Sequence, residues 1–224
     1  MFEAEIRILP KVGAVIEEGG MDPRTHWETI YRTKDFHQLS WFQSEALRSL
    51  ELITRFSPNH SDPIIDVGAG ASVLVDDLLA AGYADLTILD LSETALASAR
   101  QRLGNDAARV RWLEGDVLTA PFEPGAYAVW HDRAVFHFLT EVEDRRAYVD
   151  QVRRSVRSGG HVVVATFAED APARCSGLPV VRYSTESLHS QFGPEFRMLS
   201  SEHEEHLTPR GSAQSFLYCL CRRE

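Results

Sequence analysis

Between residues 64 and 167 the sequence alternates short apolar runs, rich in β-branched residues, with longer helical stretches. The five runs predicted as strands are 64–67, 86–89, 110–113, 126–130 and 161–167. The stretches predicted as helices are 72–81, 92–103 and 141–156, and glycine closes each of them. Strands joined by helices of this length form βαβ units, because the crossover returns the chain to the edge where the strand began. This alternation predicts an α/β domain built on a parallel sheet.

The segment that precedes the alternation is predicted to be helical. Asp22 followed by Pro23 predicts the start of a helix, with a capping side chain and then proline at the first position. A second helix is predicted to begin at Ser40, where Gln43 completes a capping box, and to run to about Phe56. These helices are expected to lie over one edge of the domain.

The two ends of the chain depart from the βα pattern. Near the carboxyl end, 196–200 and 214–221 have the pattern of strands with no room for a helix between them, which predicts an antiparallel hairpin. Residues 1–20 are predicted to be an appendage, because Gly19 and Gly20 separate them from the first helix. The domain is therefore expected to cover 21–224, with its first two helices in 22–56.

Composition excludes several classes of function. The chain has 44% apolar and 25% charged residues, as an ordinary globular domain does, and a net charge of −10 that disfavours nucleic acid as a partner. No apolar run approaches the ~20 residues that a membrane span needs, and the first residues lack the apolar core of a secretory signal. Only Cys175, Cys219 and Cys221 are present, which favours a reducing, cytoplasmic setting. Oligomeric state does not follow from these features.

Acidic residues and glycines stand where the first three strands end. Asp66, Gly68 and Gly70 form a turn between the first strand and its helix, where glycine lets the backbone approach a ligand. Asp90 ends the second strand, where a carboxylate can accept both hydroxyls of a ribose, and Asp116 ends the third. Each has a structural alternative: a plain tight turn, a helix cap and a turn-forming aspartate. The third glycine of a dinucleotide fingerprint is absent.

Together these residues resemble the cofactor site of class I S-adenosylmethionine-dependent methyltransferases, over about residues 24–222, with Ser72 where many members carry a third glycine. The resemblance implies a Rossmann-like, seven-stranded, mostly parallel sheet with an antiparallel C-terminal hairpin, helices on both faces, and S-adenosyl-L-methionine as cofactor. By it, Asp66 and the glycine turn face the methionine part, Asp90 the ribose, and Asp116 the adenine. The expected cofactor-binding residues are Trp27, Tyr31, Trp41, Asp66, Gly68, Ala69, Gly70, Asp90, Leu91, Asp116, Val117 and His131.

Two further resemblances concern the methyl acceptor. Trp130-His131-Asp132-Arg133-Ala134 after the fourth strand, the Asp-Arg pair at 144–145 and the tail at 204–211 resemble thiopurine S-methyltransferases, with His131 inserted into their W-D-R-G-A pattern. The residues from Trp27 to Tyr31 and from 40 to 43 resemble the entry helix of lysine methyltransferases that act on elongation factor or citrate synthase. The D-x-G-T motif that those enzymes carry after strand four is absent here.

The residues after the fourth strand are the expected catalytic set: His131, Asp132, Arg133 and His137. An imidazole titrates near neutral pH and can help to deprotonate an acceptor, although His137 between two phenylalanines can equally be a packing residue. Arg133 can hold an anionic substrate by paired hydrogen bonds, or form a surface ion pair. Cys175 is a candidate contact for a soft acceptor atom, with a passive loop cysteine as the alternative.

Two remaining groups complete the expectations. Trp27, Tyr31 and Trp41 are expected either to form an aromatic lid over the site or to be the buried stripe of the first helices. His203, His206 and the two late cysteines lack the spacing of a structural zinc site, so no metal is expected. The predicted function is methyl transfer to a small molecule, with a thiol, selenol or similar soft nucleophile in first place. The alternatives are a protein-lysine methyltransferase and a cofactor- or partner-binding domain without catalysis.

Overall fold

The computed structural model describes residues 22–224, and a seven-stranded sheet organises them. The strands of this sheet are β1 (Ile64–Val67), β2 (Leu86–Asp90), β3 (Val110–Glu114), β4 (Tyr127–Arg133), β5 (Val156–Phe167), β8 (Phe196–Leu207) and β9 (Ala213–Arg223). A separate two-stranded hairpin is formed by β6 (Arg174–Cys175) and β7 (Leu178–Pro179). The order of the strands along the seven-stranded sheet is β3–β2–β1–β4–β5–β9–β8.

The strand pairing explains where a ligand can bind. Strands β1 to β5 are parallel, whereas β9 runs antiparallel to β5 and to β8. The first strand lies in the middle, with β2 and β3 on one side and β4 and β5 on the other. In an open parallel sheet the crevice outside the carboxyl ends at such a reversal is the usual ligand site. The predicted fold class is confirmed.

Helices cover both faces of the sheet. They are α1 (Pro23–Thr33), α2 (Leu47–Phe56), α3 (Leu74–Ala80), α4 (Glu93–Leu103), α5 (Val142–Ser155) and α6 (Thr185–Phe192). On one face α2, α3 and α4 contribute Ile53, Leu78 and Leu96 to an apolar core. On the other face Val152 of α5 and Leu188 of α6 pack against the sheet. Burial of these apolar side chains is the main force that fixes both layers.

Helix α1 starts as the sequence predicts, whereas the second helix does not. Pro23 opens α1, and the Asp22 carboxylate accepts a hydrogen bond from the Thr25 N–H at 3.1 Å. Helix α2 begins at Leu47 and not at Ser40, so the predicted capping box is wrong. The Ser40 carbonyl oxygen instead lies 2.8 Å from His206 Nε2, which holds the segment before α2 as a loop against the C-terminal hairpin.

The carboxyl half contains elements that the sequence pattern did not reveal. Helix α5 ends at Ser155 and β5 begins at the next residue, so the glycines expected to close the helix lie inside the strand. The β6–β7 hairpin and α6 lie between β5 and β8 and were not predicted. The C-terminal hairpin is present and longer than expected. The appendage predicted at 1–20 lies outside the described residues.

Candidate functional site

Two neighbouring cavities open at the carboxyl ends of the parallel strands. The larger, of about 240 Å³, extends from the loops after β2 and β3 to the turn after β4 and the β6–β7 hairpin. The smaller, of about 50 Å³, lies between the loop after β1 and the segment before α2. Trp41, Gly68 and Arg133 line both cavities and form the wall between them. Apart from Gly70, every residue expected to bind cofactor lines at least one of the two.

The turn after β1 requires its two glycines. Gly68 and Gly70 have φ angles of +60° and +56°, in the left-handed region that disfavours other residues. A Cβ atom on Gly70 would lie 2.0 Å from the Tyr31 hydroxyl, and one on Gly68 would lie 2.0 Å from a methyl group of Val135. The turn therefore has room for backbone only at these two positions, and Gly68 and Ala69 bring it to the edge of the cavities.

The Asp90 carboxylate faces the larger cavity from the end of β2. It accepts hydrogen bonds from the Gly70 N–H at 2.7 Å and the Ser92 N–H at 2.8 Å, one on each oxygen. Burial raises the pKa of Asp90 to about 6, and the nearby Asp66 charge adds to the rise. Ser92 caps α4, so Asp90 is not needed for that purpose. Each carboxylate oxygen keeps a further acceptor position, which two ribose hydroxyls can use.

The loop after β3 forms the far end of the larger cavity. Asp116 and Val117 line it together with Leu91 from the loop after β2. One oxygen of Asp116 accepts a hydrogen bond from the Leu118 N–H at 2.9 Å, so the turn-forming alternative holds for this oxygen. The other oxygen is available to a polar group in the cavity. Val117 is buried and presents an apolar surface that suits a flat ring.

Aromatic side chains from the N-terminal segment roof the larger cavity. The Trp27 ring stands 5.7 Å from the Trp41 ring and 5.1 Å from the Phe138 ring, both edge to face. The Tyr31 ring lies 6.3 Å from Trp41, and burial raises the pKa of its hydroxyl. Glu28 fastens α1 beside the site by accepting a hydrogen bond from the Ser92 hydroxyl at 2.7 Å. These rings line a cavity rather than only filling a core.

His131 lies in the smaller cavity and not in the larger one. Its Nδ1 is 2.7 Å from an Asp66 oxygen, and its Nε2 is 2.8 Å from the Ser49 hydroxyl of α2. All three side chains are buried. Asp66 and Ala69 line this cavity as well. Because both imidazole nitrogens are bonded and the ring faces away from the larger cavity, His131 does not have the geometry of a base for an acceptor held there.

Asp132 points to the opposite face of the sheet, and the expectation that it faces an acceptor is corrected. Its oxygens accept hydrogen bonds from the Tyr148 hydroxyl at 2.6 Å, the Val135 N–H at 2.9 Å and the Phe136 N–H at 3.1 Å. The residue lines neither cavity. Desolvation raises the pKa of Asp132 to about 6. Its carboxylate holds the turn after β4 in place.

His137 is also a structural residue, and its expected role as a catalytic base is corrected. The ring packs 4.5 Å from Phe138 and 4.7 Å from Phe167, and its Nδ1 accepts a hydrogen bond from the Phe167 N–H at 3.2 Å. Burial, reinforced by the Arg133 charge, lowers the pKa of His137 to about 3. The imidazole lines neither cavity and stays neutral, as the packing alternative requires.

Arg133 separates the two cavities and carries an available donor. Its Nε donates to the Tyr218 hydroxyl and its Nη1 to the Trp41 carbonyl, both at 3.1 Å, and its guanidinium lies 4.2 Å above the Phe216 ring. Nη2 is buried without a hydrogen-bond partner, and Glu204 at 3.7 Å only partly balances the charge. The side chain is 10% exposed, so this donor is shielded from bulk water.

Backbone strain marks the same end of the larger cavity. Within residues 22–224, Ala134 (φ 72°) and Ser176 (φ 50°) are the two non-glycine residues with positive φ. Ala134 lines the cavity, and Ser176 follows Cys175, which also lines it. Burial raises the pKa of the Cys175 thiol, so it is not a ready nucleophile. Strained residues of this kind cluster at functional sites.

Ser49, which completes the His131 contacts, was missed by the sequence analysis because no local pattern links it to a partner 82 residues away.

Part of the chain is similar to known methyltransferases. Residues 64–160 match the family of methyltransferase domains. A curated relative is the eEF1A lysine and N-terminal methyltransferase of Danio rerio, 26% identical over 148 residues, 65% of this chain and 21% of that protein. Another is the ubiquinone/menaquinone biosynthesis C-methyltransferase UbiE of Dinoroseobacter shibae, 29% identical over 116 residues, 50% of this chain and 45% of that protein. The chain spans less than half the length of either relative.

The fold agrees with a solved structure over most of the chain. The 1,6-didemethyltoxoflavin-N1-methyltransferase of Burkholderia thailandensis, with 1,6-didemethyltoxoflavin and S-adenosylhomocysteine bound, has a TM-score of 0.66 at 17% identity and aligns over 89% of this chain and 86% of that one. The fold of this chain is that of class I S-adenosylmethionine-dependent methyltransferases. The cofactor of that class is S-adenosylmethionine, as the sequence predicted. No helix within residues 22–224 is long and apolar enough to cross a bilayer.

Proposed function

We propose that the chain transfers the methyl group of S-adenosylmethionine to a small molecule held at the Arg133 end of the larger cavity. The observation that carries this proposal is Arg133, a charged side chain that lines the larger cavity beside apolar residues and whose buried Nη2 has no hydrogen-bond partner within residues 22–224. Those apolar residues include Trp27, Trp41, Phe138 and Leu178. A cavity lined by apolar rings with a few polar groups is the usual form of a small-molecule site.

The residues at the other end suit the cofactor. When bound, S-adenosylmethionine supplies an electrophilic methyl group on a sulfonium sulfur. Asp90 accepts the ribose hydroxyls through the acceptor positions that Gly70 and Ser92 leave open. Asp116 and Val117 take the adenine at the end of β3. The glycine turn after β1 faces the chain between adenosine and amino acid, because its Gly68 lines both cavities.

The lid contributes by excluding water and by fixing the acceptor. Trp27, Tyr31 and Trp41 cover the cavity from α1 and the following loop, and the β6–β7 hairpin closes the opposite side. Methyl transfer gains from holding both reactants in line and from removing water between them, and needs no covalent intermediate. The strained turn at Ala134 stays in place because Asp132 accepts the two N–H groups that follow it.

The acceptor class is inferred from His131, Asp132 and His137, none of which offers a free base to the larger cavity. Asp132 and His137 face away from it, and His131 is fully bonded in the other cavity. A guanidinium beside the acceptor favours an anion and disfavours a lysine ammonium, which would have to lose its proton there. A thiol or selenol ionises readily without help, so these acceptors fit the site best. The free thiols of Cys175, Cys219 and Cys221 suit a reducing cytoplasmic setting, which we include in the proposal.

The test is a methylation assay with labelled cofactor. Purified protein is incubated with a panel of small aromatic and aliphatic thiols and selenols, and in parallel with cell lysate. We expect labelled small-molecule product and no dominant labelled protein band. Arg133→Met should lower turnover at least tenfold with cofactor affinity nearly unchanged, whereas Arg210→Met, an exposed arginine, should leave both unchanged. A single strong protein band with inert small acceptors would overturn the proposal and show a protein acceptor, as the name of the Danio rerio relative describes for that protein.

A further inference from the structure

Asp66, His131 and Ser49 form a buried chain of hydrogen bonds beside the smaller cavity. The distances are 2.7 Å from Asp66 to Nδ1 and 2.8 Å from Nε2 to the Ser49 hydroxyl. This connectivity is that of a hydrolytic Ser–His–Asp triad. A triad, however, needs space for an acyl group next to its serine. Ser49 is 1% exposed, so an acyl group cannot reach its hydroxyl. Hydrolysis is therefore excluded at this site, and the three residues must serve a different purpose.

In this series of hydrogen bonds, the acceptor that remains unused is an oxygen of Asp66. One carboxylate oxygen is bonded to His131, and the other accepts no hydrogen bond from residues 22–224. Asp66 lines the smaller cavity next to Gly68, at the side of the glycine turn where the amino-acid end of the cofactor is expected. A buried carboxylate without a fixed orientation would lose side-chain entropy on binding and would offer its oxygen in several directions. The bond to His131 removes that freedom.

We infer that His131, oriented by Ser49, is a positioning residue that presents the free Asp66 oxygen to the ammonium group of the cofactor's methionine end. The inference rests on the proposed binding of S-adenosylmethionine. An ionised carboxylate can only accept, so Nδ1 of His131 carries the proton between them. The Ser49 hydroxyl donates to Nε2, which satisfies the imidazole in its neutral form. A neutral imidazole orients Asp66 without adding a positive charge next to the site for the ammonium group.

The test compares two ligands that differ only at the amino-acid end. S-adenosylhomocysteine has the ammonium group, and 5′-methylthioadenosine lacks the amino acid altogether. His131→Leu should weaken S-adenosylhomocysteine binding about 10- to 100-fold, the loss of a charge-assisted contact, and leave 5′-methylthioadenosine within about twofold. Isothermal titration calorimetry on the full chain measures both, without any knowledge of the acceptor.

Two matched variants separate positioning from packing. In His131→Asn the side-chain amide can donate to Asp66 near the former position of Nδ1, so most of the S-adenosylhomocysteine affinity should return. In His131→Gln the amide extends toward Ser49 and not toward Asp66, so the loss should remain. This pair also replaces His131→Leu if that variant fails to fold, as judged by circular dichroism. Ser49→Ala should cost a few-fold for S-adenosylhomocysteine only.

The outcomes distinguish this inference from the proposed function. If the wild-type protein binds S-adenosylhomocysteine and the variants lose both ligands equally, or lose neither, His131 is a structural residue and the inference is overturned. If the wild-type protein binds neither ligand, the proposed function is overturned with it. A loss confined to S-adenosylhomocysteine, with recovery in His131→Asn, supports the positioning role.

Discussion

The ends of β2 and β4 carry two buried aspartates that differ in one respect. Asp90 and Asp132 are both buried, and desolvation raises the pKa of each to about 6. Asp90 accepts two backbone hydrogen bonds and lines the larger cavity. Asp132 accepts three donors and lines no cavity. Burial and a raised pKa therefore do not identify a ligand-binding carboxylate, whereas acceptor positions left open toward a cavity do.

The largest expected effect concerns Asp132, near the end of β4. Asp132→Ala leaves the Tyr148 hydroxyl and two N–H groups without a partner, and we expect the free energy of unfolding to fall by about 3 kcal/mol. Urea denaturation at pH 8 measures it. Tyr148→Phe, which removes one of the three bonds, should cost about 1–2 kcal/mol. A loss below about 1 kcal/mol in Asp132→Ala would mean that the turn is held by other contacts.

The next effect concerns ligand affinity on the β2 side. Asp90→Ala should weaken S-adenosylmethionine binding by about 1.5–3 kcal/mol, a rise in Kd of about 10- to 150-fold, because charge-assisted bonds to the ribose are lost. Calorimetry measures the Kd, with Asp106→Ala as a control at an exposed aspartate. Unchanged affinity in a folded Asp90→Ala protein would remove Asp90 from the site, and a preference for NAD would contradict the whole assignment.

The raised pKa of Asp90 predicts how binding depends on pH. With a folded pKa of about 6, above the unfolded value of about 3.9, protonation of Asp90 favours the folded state, and this contribution is lost as pH rises through about 6. Cofactor binding has the opposite dependence, because the ribose hydroxyls donate to the ionised carboxylate. The Kd for S-adenosylhomocysteine should therefore rise as pH falls below about 6, by up to about tenfold at pH 5.

The control for this pH dependence is Asp90→Asn. Asp66 and Asp116 are present in both proteins, so the informative quantity is the difference in Kd between wild type and Asp90→Asn across pH 5 to 8. That difference should be largest at high pH and shrink toward pH 5. An identical pH profile in both proteins would show that Asp90 is not the titrating group that the ligand senses.

The smallest expected effect concerns the stability of the turn after β4, which Asp132 holds in place. Ala134 has a φ of 72°, where glycine is unstrained, so Ala134→Gly should raise the free energy of unfolding by about 0.5–1 kcal/mol. Ala97→Gly, at an exposed position of α4, should lower it by about 1 kcal/mol and serves as the control of opposite sign. Destabilisation by Ala134→Gly would show that the turn depends on the methyl group more than on relief of strain.

The cofactor end of the site was predictable because its residues are tied to strand ends. Asp66, Asp90 and Asp116 each follow an apolar run, and parallel pairing brings the ends of those runs to one edge. The three aspartates come together at this edge whenever the segments between the apolar runs are helices. Sequence order and strand direction thus suffice to bring together most of the residues that we propose to hold the cofactor, without knowledge of any side-chain contact.

The acceptor end was less predictable for two physical reasons. The predicted fourth strand stopped at residue 130, whereas β4 continues to Arg133. Because strand side chains alternate, that extension puts Asp132 on the same face as Trp130 and leaves His131 and Arg133 on the other. The second reason is that the lid segment and the β6–β7 hairpin are shaped by distant contacts, such as the bond from Ser40 to His206, which local propensity does not encode.

The contact between Tyr31 and Gly70 limits the order in which this sequence can diverge. A Cβ atom at position 70 would lie 2.0 Å from the Tyr31 hydroxyl, so no side chain can be gained there while the tyrosine remains. The reverse order is open, because a shorter residue at position 31 leaves Gly70 unaffected. A lineage that descends from this protein can therefore vary its lid while Gly70, with its φ of +56°, stays glycine. Descendants that keep Tyr31 are expected to keep Gly70 with it.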